Sequence, residues 1–259
     1  MIKSKFISFN AIFLGLSAFF LISLSCSSVP LTSPTATPTP TSTATPTITP
    51  SPTATITTTP TFTPTPIFGS WRSVFHDSFD SNSNQWQSEP IEFQDFGSIL
   101  FSFVNGKYQW TVTTLTKEGM FQPILAPTDS LTDGYVSVDI EQRSGGEGAT
   151  FGLAIRASDS EGYFFEITPS KKTYNFISHL AGEWSFPIYE SESTAIHSTG
   201  TNTISVKVEG TAYSLFINNE LVNHYSDATI PNGSVGLLIS VAGISDAIIE
   251  FDNFTLYAP

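Results

Sequence analysis

Tyr135-Val-Ser-Val-Asp-Ile-Glu141 is the stretch whose reading decides the fold. Side chains two apart in an extended chain point the same way, so Val136, Val138 and Ile140 share one face and Ser137, Asp139 and Glu141 the other. Phe151-Gly-Leu-Ala-Ile-Arg156 repeats the pattern, with Phe151, Leu153 and Ile155 on the buried side and Gly152, Ala154 and Arg156 opposite. The same period of two runs through 163–168, 173–179, 203–208, 213–217, 234–240 and 247–257. Turn-forming groups separate these runs: Ser144-Gly-Gly, Ser160-Glu-Gly, Asn218-Asn219 and Pro231-Asn-Gly. No window of helical length carries a 3.6-residue period. Many short strands at regular spacing predict an all-β protein, an antiparallel sandwich or barrel.

Upstream of residue 67 the alternation stops. Residues 27–66 hold no charge and repeat Thr-Pro pairs, among them Thr37-Pro38, Thr45-Pro46 and Thr63-Pro64. Proline fixes φ, removes a donor and keeps the preceding residue extended, so this tract reads as a disordered, polyproline-like stalk. At about 3.1 Å per residue it can hold a domain roughly 120 Å from its anchor. Ahead of it, Lys3, Lys5 and an uncharged apolar stretch from Phe6 to Leu24 read as a secretory signal. The division is then 1–25 signal peptide, 26–66 Thr/Pro-rich tether and 67–259 folded domain.

Cys26 is the chain's single cysteine and stands at the junction of signal and stalk. Ile22-Ser23-Leu24-Ser25-Cys26 resembles a bacterial lipobox, although Ser23 stands where leucine is commonest. That resemblance implies that Cys26 is acylated, begins the mature chain and anchors it to a bacterial membrane, at the cell surface or in the periplasm. Two other readings stay open. The run 6–24 can remain as an uncleaved anchor, since about 20 apolar residues span a bilayer. Ordinary cleavage would leave Cys26 a free thiol. All three place the domain outside the cytoplasm, and without a second cysteine its core must hold it together.

All 23 acidic residues but only eight of the ten basic ones lie beyond the tract, a formal charge of −15. Such an acidic domain excludes nucleic acid as a partner, because phosphates demand a basic face. It also excludes electrostatic adhesion to anionic lipid, so membrane attachment falls to the lipid anchor. The sequence does not bear on oligomeric state.

The order of signatures across residues 72–258 resembles the concanavalin A-like lectin/glucanase superfamily. Asp77-Ser-Phe-Asp80 with Trp86 opens it, followed by Asn105-Gly-Lys-Tyr108, Phe151-Gly-Leu-Ala-Ile-Arg156 and Gly162-Tyr-Phe-Phe-Glu166. Gly182-Glu-Trp184, Asn202-Thr-Ile-Ser-Val206, Leu215-Phe-Ile-Asn218, Gly233-Ser-Val-Gly-Leu237 and Phe251-Asp-Asn-Phe254 complete it. The resemblance implies a jelly-roll β-sandwich, a fold that hosts lectins, glycosidases and laminin-G-like modules and so does not choose a function. Laminarinase- and lichenase-type enzymes of this superfamily carry Glu-x-Asp-x-Glu on one strand. Here Ser137 stands where the first glutamate belongs, and hydrolysis of a glycosidic bond needs two carboxyls.

A binding face is expected instead. If successive strands pair, Asp139 and Glu141 lie beside Arg156, then beside Phe164 and Glu166, with Trp184 closing one end. Aromatic rings stack on sugar rings while carboxylates and arginine take hydroxyl pairs. The plainer alternative is a solvated face in which Arg156 pairs with Glu141 or Glu166, worth a few tenths of a kcal/mol to about 1. The resemblance further implies a structural calcium, held by Asp252 and the carbonyl of Gly106. Calcium wants six to eight oxygens, and the alternative is that Asp252 bonds backbone near the first strand. The four histidines show no metal-ligand spacing, and no nucleophile elbow, phosphate loop or dinucleotide fingerprint is present.

Three functions follow. The first is a surface-tethered lectin-like module that binds a glycan or other cell-envelope ligand without catalysis. The second is a glycoside hydrolase of laminarinase or keto-disaccharide type. The third is a structural or adhesive domain without a small ligand.

Overall fold

The alternation in the sequence becomes two antiparallel sheets in a computed structural model. The structure describes residues 71–259 apart from Asp159 and Ile244; the signal stretch, Cys26 and the Thr/Pro tract lie outside the described residues. In chain order the strands are β1 (Arg72–Asp77), β2 (Ile91–Phe93), β3 (Gly97–Val104), β4 (Lys107–Thr114), β5 (Met120–Leu125), β6 (Gly134–Gly145), β7 (Ala149–Ala157) and β8 (Gly162–Thr168). They continue as β9 (Thr173–Leu180), β10 (Glu183–Glu192), β11 (Asn202–Glu209), β12 (Ala212–Ile217), β13 (Glu220–Ser226), β14 (Ser234–Val241) and β15 (Ser245–Ala258). No helix occurs among the described residues.

One sheet runs β13-β12-β11-β6-β15-β4-β3-β2, and the other β10-β9-β8-β7-β14-β5. The long strand β15 pairs with β4 along residues 245–251 and with β1 along residues 254–258. The change of partner falls at Asn253, whose φ of 51° bends the strand. Three hairpins close through two-residue loops with positive φ at both positions, Asn105-Gly106, Ala181-Gly182 and Asn218-Asn219. Such mirror-image turns match the right-handed strand twist.

Val136, Val138 and Ile140 of the first sheet and Phe151, Leu153 and Ile155 of the second are buried in one continuous core. At one end of it Phe79, Trp86, Tyr108 and Phe254 pack as a knot of rings, with the Trp86 and Phe254 centroids 5.2 Å apart. Each such ring removed from water stabilises the fold by about 1.5–3 kcal/mol. Asp77 organises this knot from beneath. Its carboxylate accepts hydrogen bonds from Phe79 N at 2.7 Å, Asn84 Nδ2 at 2.8 Å and Trp86 Nε1 at 2.8 Å. The Asp77…Trp86 signature is thus a turn tied to its own ring.

Candidate functional site

The expected groove does not assemble as a unit, because its members lie on two different sheets. Asp139 and Glu141 belong to β6, whose neighbours are β11 and β15 rather than β7. Residues 146–148 carry the chain from one sheet to the other instead of closing a hairpin. Asp139 accepts from Thr203 Oγ1 at 2.5 Å and Asn253 Nδ2 at 2.9 Å, and Glu141 from Arg143 Nη1 at 2.6 Å and Thr201 Oγ1 at 3.2 Å. Both are part of a polar ladder on the outer face of the larger sheet.

Arg156 departs from its expected place as well. Register slips between Ser234 and Gly236 of β14, so that Ile155 and Arg156 oppose a single residue, and Arg156 takes φ 46°. This bulge turns its side chain off the outer face, and only 3 % of the residue remains exposed. All five guanidinium N–H groups are used: Nε and Nη2 donate to Thr132 O, Nη1 to Tyr213 Oη and Ile230 O, and Nη2 also to Gly210 O, at 2.6–3.1 Å. Asp133 lies 3.8 Å away and the guanidinium sits over the Tyr213 ring. Gly233 lets the chain pass against this bulge, since a Cβ there would come within 2.4 Å of the Arg156 carbonyl carbon. Arg156 is a clamp on three loops and not a ligand group.

Phe164, Glu166 and Trp184 do come together, on the outer face of the smaller sheet. Phe164 and Glu166 point outward from β8, and Trp184 stands at the start of β10 against His179 of β9. Trp184 and Phe121 of β5 meet with centroids 4.9 Å apart, and both lie on Phe164. Strands β5 and β10 are opposite edges of the sheet, so the sheet curls until rings from its two rims meet over a central strand. With Phe186 and Leu125, these side chains cover Ala154, Ile177 and Leu238. Glu166 lies in the same layer and is 5 % exposed. Asn175 Nδ2 donates to its Oε1 at 2.9 Å, while Oε2 has no partner in the structure. Burial pushes its pKa up to about 7, only partly opposed by the Asn175 bond.

Trp184 has a second environment. Together with Tyr163, Ser178, Leu180, Asp227 and Thr229 it lines a pocket of about 270 Å³ where the β9–β10 hairpin approaches the loop 227–230; Glu183 and Ser185 stand at its lip. Asp227 begins that loop as an Asx turn. Its Oδ1 accepts from Thr229 N at 2.7 Å and from the Thr229 hydroxyl, and its Oδ2 from Tyr225 Oη at 3.2 Å. Burial alone would raise its pKa, but the hydrogen bonds of Thr229, Tyr163 and Tyr225 outweigh it and hold the carboxyl below the usual value. Tyr163 is buried, stacked on Phe176, and accepts from Ile230 N at 3.4 Å. Because Arg156 holds both Ile230 and Tyr213, the clamp on the core also fixes the loop that carries Asp227.

The residues expected to hold calcium do not fit it. Asp252 is bonded by the Lys107 ammonium and by Asn253 N at 2.8 Å, so a positive charge already faces the carboxylate. Gly106 sits in the β3–β4 turn near a single carboxylate oxygen of Asp80. No cluster of three or more His, Cys, Asp or Glu suited to a metal occurs among the described residues.

No protein-family model matches the sequence, and no curated protein sequence matches it. Solved structures match in shape. The Bacillus licheniformis beta-glucanase superposes with TM-score 0.53 at 11% identity, over 72% of this chain and 98% of that one. A GlcNAcα1-4Gal releasing endo-β-galactosidase from Clostridium perfringens gives 0.53 at 11%, over 73% and 63%. The carbohydrate binding module CBM66 from Bacillus subtilis gives 0.47 at 18%, over 73% and 95%. The fold is a concanavalin A-like jelly roll. At these identities the likeness is one of fold.

Within this jelly roll, Asp227 and Tyr163 are the pocket residues that sequence reading passed over. Asp227-Ala-Thr229 after a strand is a visible Asx-turn signal, but nothing in one sequence says which strand ends share an end of the sandwich. Tyr163 alternates with Phe165 and so reads as core, which it is; only its hydroxyl reaches the pocket.

Proposed function

We propose that the chain is a non-catalytic glycan-binding module, held outside the cytoplasm by a lipid anchor at Cys26. Trp184 borders the pocket with its indole on the aromatic outer face, Tyr163 reaches it through its hydroxyl, and Asp227 with Ser178, Ser185 and Thr229 supplies hydrogen-bonding groups, an aromatic surface beside hydroxyls that suits polyhydroxylated rings. The observation that carries the non-catalytic reading is a separation of roles. Hydrolysis with two carboxyls needs one kept protonated and the other across the same glycosidic bond, roughly 5–10 Å away. Here Asp227 is held ionised and Glu183 stands exposed at the pocket lip, whereas the carboxyl pushed up, Glu166, lies on the outer face and does not line the pocket. Neighbours named for glucanase and galactosidase activity share the fold, which supports glycans as the ligand class without choosing a chemistry.

Retention of the full chain on insoluble β-glucan and galactan columns, with no reducing sugar released, is the expected result. Trp184→Ala should lower retention at least tenfold. Release of sugar that is abolished by Glu166→Gln would establish a hydrolase instead, and no retention on any glycan would remove the reading. Radiolabelled palmitate should enter the wild type and not Cys26→Ser.

A further inference from the structure

We infer that Glu166 is a pH-controlled latch on the edge strand β10: neutral, it lets residues 186–190 lie closed over the outer face of the smaller sheet, and ionised, it drives that segment open. This goes beyond the glycan-binding reading and does not rest on it. Glu166 stands on β8 between Gly152 of β7 and Asn175 of β9. Asn175 links it to β10, because Nδ2 donates to Glu166 Oε1 at 2.9 Å while Oδ1 accepts from Glu190 N at 2.6 Å. The β9–β10 register slips there, between Ile188 and Ser191, so that Asn175 opposes both Tyr189 and Glu190, and Glu190 takes φ 45°. A second slip sets Phe186 and Pro187 against Ile177 alone. Each such bulge interrupts the backbone ladder, and proline has no N–H to give it. Between the two slips only Ile188 keeps a register partner.

Segment 186–190 is therefore held less by its ladder than by side chains: Phe186 in the aromatic layer, Tyr189 edge-on to Phe186 with centroids 5.5 Å apart, and the Asn175–Glu190 bond. Edge segments held this way open at less cost than the interior of a sheet. Nothing beneath the cover suits a charged Glu166. In its row β7 presents Gly152, β14 Leu238 and β5 Pro123, none of which titrates. From β9 it meets the neutral Asn175, while His179 farther along packs on Trp184. From β10 come Tyr189 and Glu190; burial, then the charges of Glu190 and Glu166, push the Tyr189 hydroxyl up. Lys171 reaches Glu190 at 3.9 Å, and among the described residues no cation pairs with Glu166. An ionised Glu166 must take water, and the way to solvent runs out past Asn175 and under β10, where Tyr189 is already half exposed. The sign follows from the carboxyl's ordinary value of 4.5 and its value of about 7 under the closed cover. The cover is firmest below pH 4.5 and loosens as pH rises toward 7.

Amide hydrogen exchange of the full chain, read by mass spectrometry with labelling times scaled for the intrinsic rate, tests this without any ligand. Between pH 5 and 8 the amides of β10 should lose protection at least tenfold, while those of β8 and β9 keep theirs. Glu166→Gln, which keeps the shape and cannot ionise, should hold β10 protection level across that range. Tyr189→Ala, at an exposed position, thins the cover and should move the midpoint of the loss to lower pH. Equal loss in wild type and Glu166→Gln, loss spread evenly over both sheets, or no loss by pH 8 would each overturn the inference, whatever the glycan assays return. A midpoint indifferent to Tyr189→Ala would overturn it too, since the control would then lie elsewhere than under β10.

Discussion

Glu166→Gln should stabilise the protein above neutral pH and not below pH 5. The ordinary carboxyl value is 4.5, and burial pushes the folded-state value to about 7. That displacement corresponds to about 3 kcal/mol. The sign follows from which state binds the proton more tightly. Below pH 4.5 both states are protonated, and the native state keeps the full contribution. Between 4.5 and 7 the unfolded chain ionises first, so native stability falls as pH rises, and above 7 the loss is complete at about 3 kcal/mol. Glutamine keeps the shape and the acceptor for Asn175 Nδ2 but cannot ionise. Its amide nitrogen would stand where Oε2 has no partner, at a cost of about 1–2 kcal/mol. About 1 kcal/mol of that loss is already present at pH 5, so the variant should be about 0–1 kcal/mol less stable than wild type there and about 1–2 kcal/mol more stable at pH 8. Urea midpoints at both pH values, with unchanged m-values, measure the difference directly. A wild-type-minus-variant difference that stays constant from pH 5 to 8 would refute the reasoning, because every other titrating group cancels in the comparison.

Two further substitutions test the structural anchors. Asp77→Ala strands three donors, one of them the Trp86 indole, and should cost about 3 kcal/mol in urea unfolding. Arg156→Met leaves the carbonyls of Thr132, Gly210 and Ile230 without their donor and should cost about 3–5 kcal/mol. Arg156→Lys should recover little of it, since an ammonium cannot reproduce the planar fork. The Arg156 variants should also weaken glycan retention, through the loop that Ile230 anchors.

How much of this was legible follows from what a period of two encodes. The alternation in 135–141 states which side chains share a face, and the structure agrees for Val136, Val138 and Ile140. It does not state which sheet a strand joins. Adjacent strands pair in about two-thirds of cases, and β6 to β7 is one of the exceptions, which moved Asp139 and Glu141 away from Phe164 and Glu166. Arg156 misled for another reason. A bulge adds one residue and reverses the side, and its sequence trace is indirect: Gly233, on the opposing chain, where a side chain would collide. The calcium expectation failed on Lys107, a single cation whose pairing with Asp252 depends on the register of β4 against β15. Trp184 was expected to close one end of the groove and instead packs with Phe164 and Phe121 on the outer face of the smaller sheet.

Buried charge separates the groups that build this fold from those left over for a ligand. Asp77 and Arg156 are as buried as Glu166, yet Asp77 accepts three hydrogen bonds and Arg156 spends all five donors, four of them on the carbonyls of three loops. Removing either should destabilise. Glu166 makes one bond, keeps an oxygen without a partner and, among the described residues, forms no ion pair, so neutralising it should stabilise above neutral pH. Residues of one chemical class at one depth are thus expected to respond with opposite sign. Asp227 stands between these cases. Thr229 and Tyr225 bond its carboxylate and so hold the loop 227–230, Tyr163 adds a further hydrogen bond, and the residue also lines the pocket. Asp227→Asn keeps an oxygen for Thr229, so it should cost little stability, about 1 kcal/mol, while removing the charge from the pocket. A variant that loses binding tenfold and folds nearly as well as wild type is the signature of a charge that serves the ligand more than the loop.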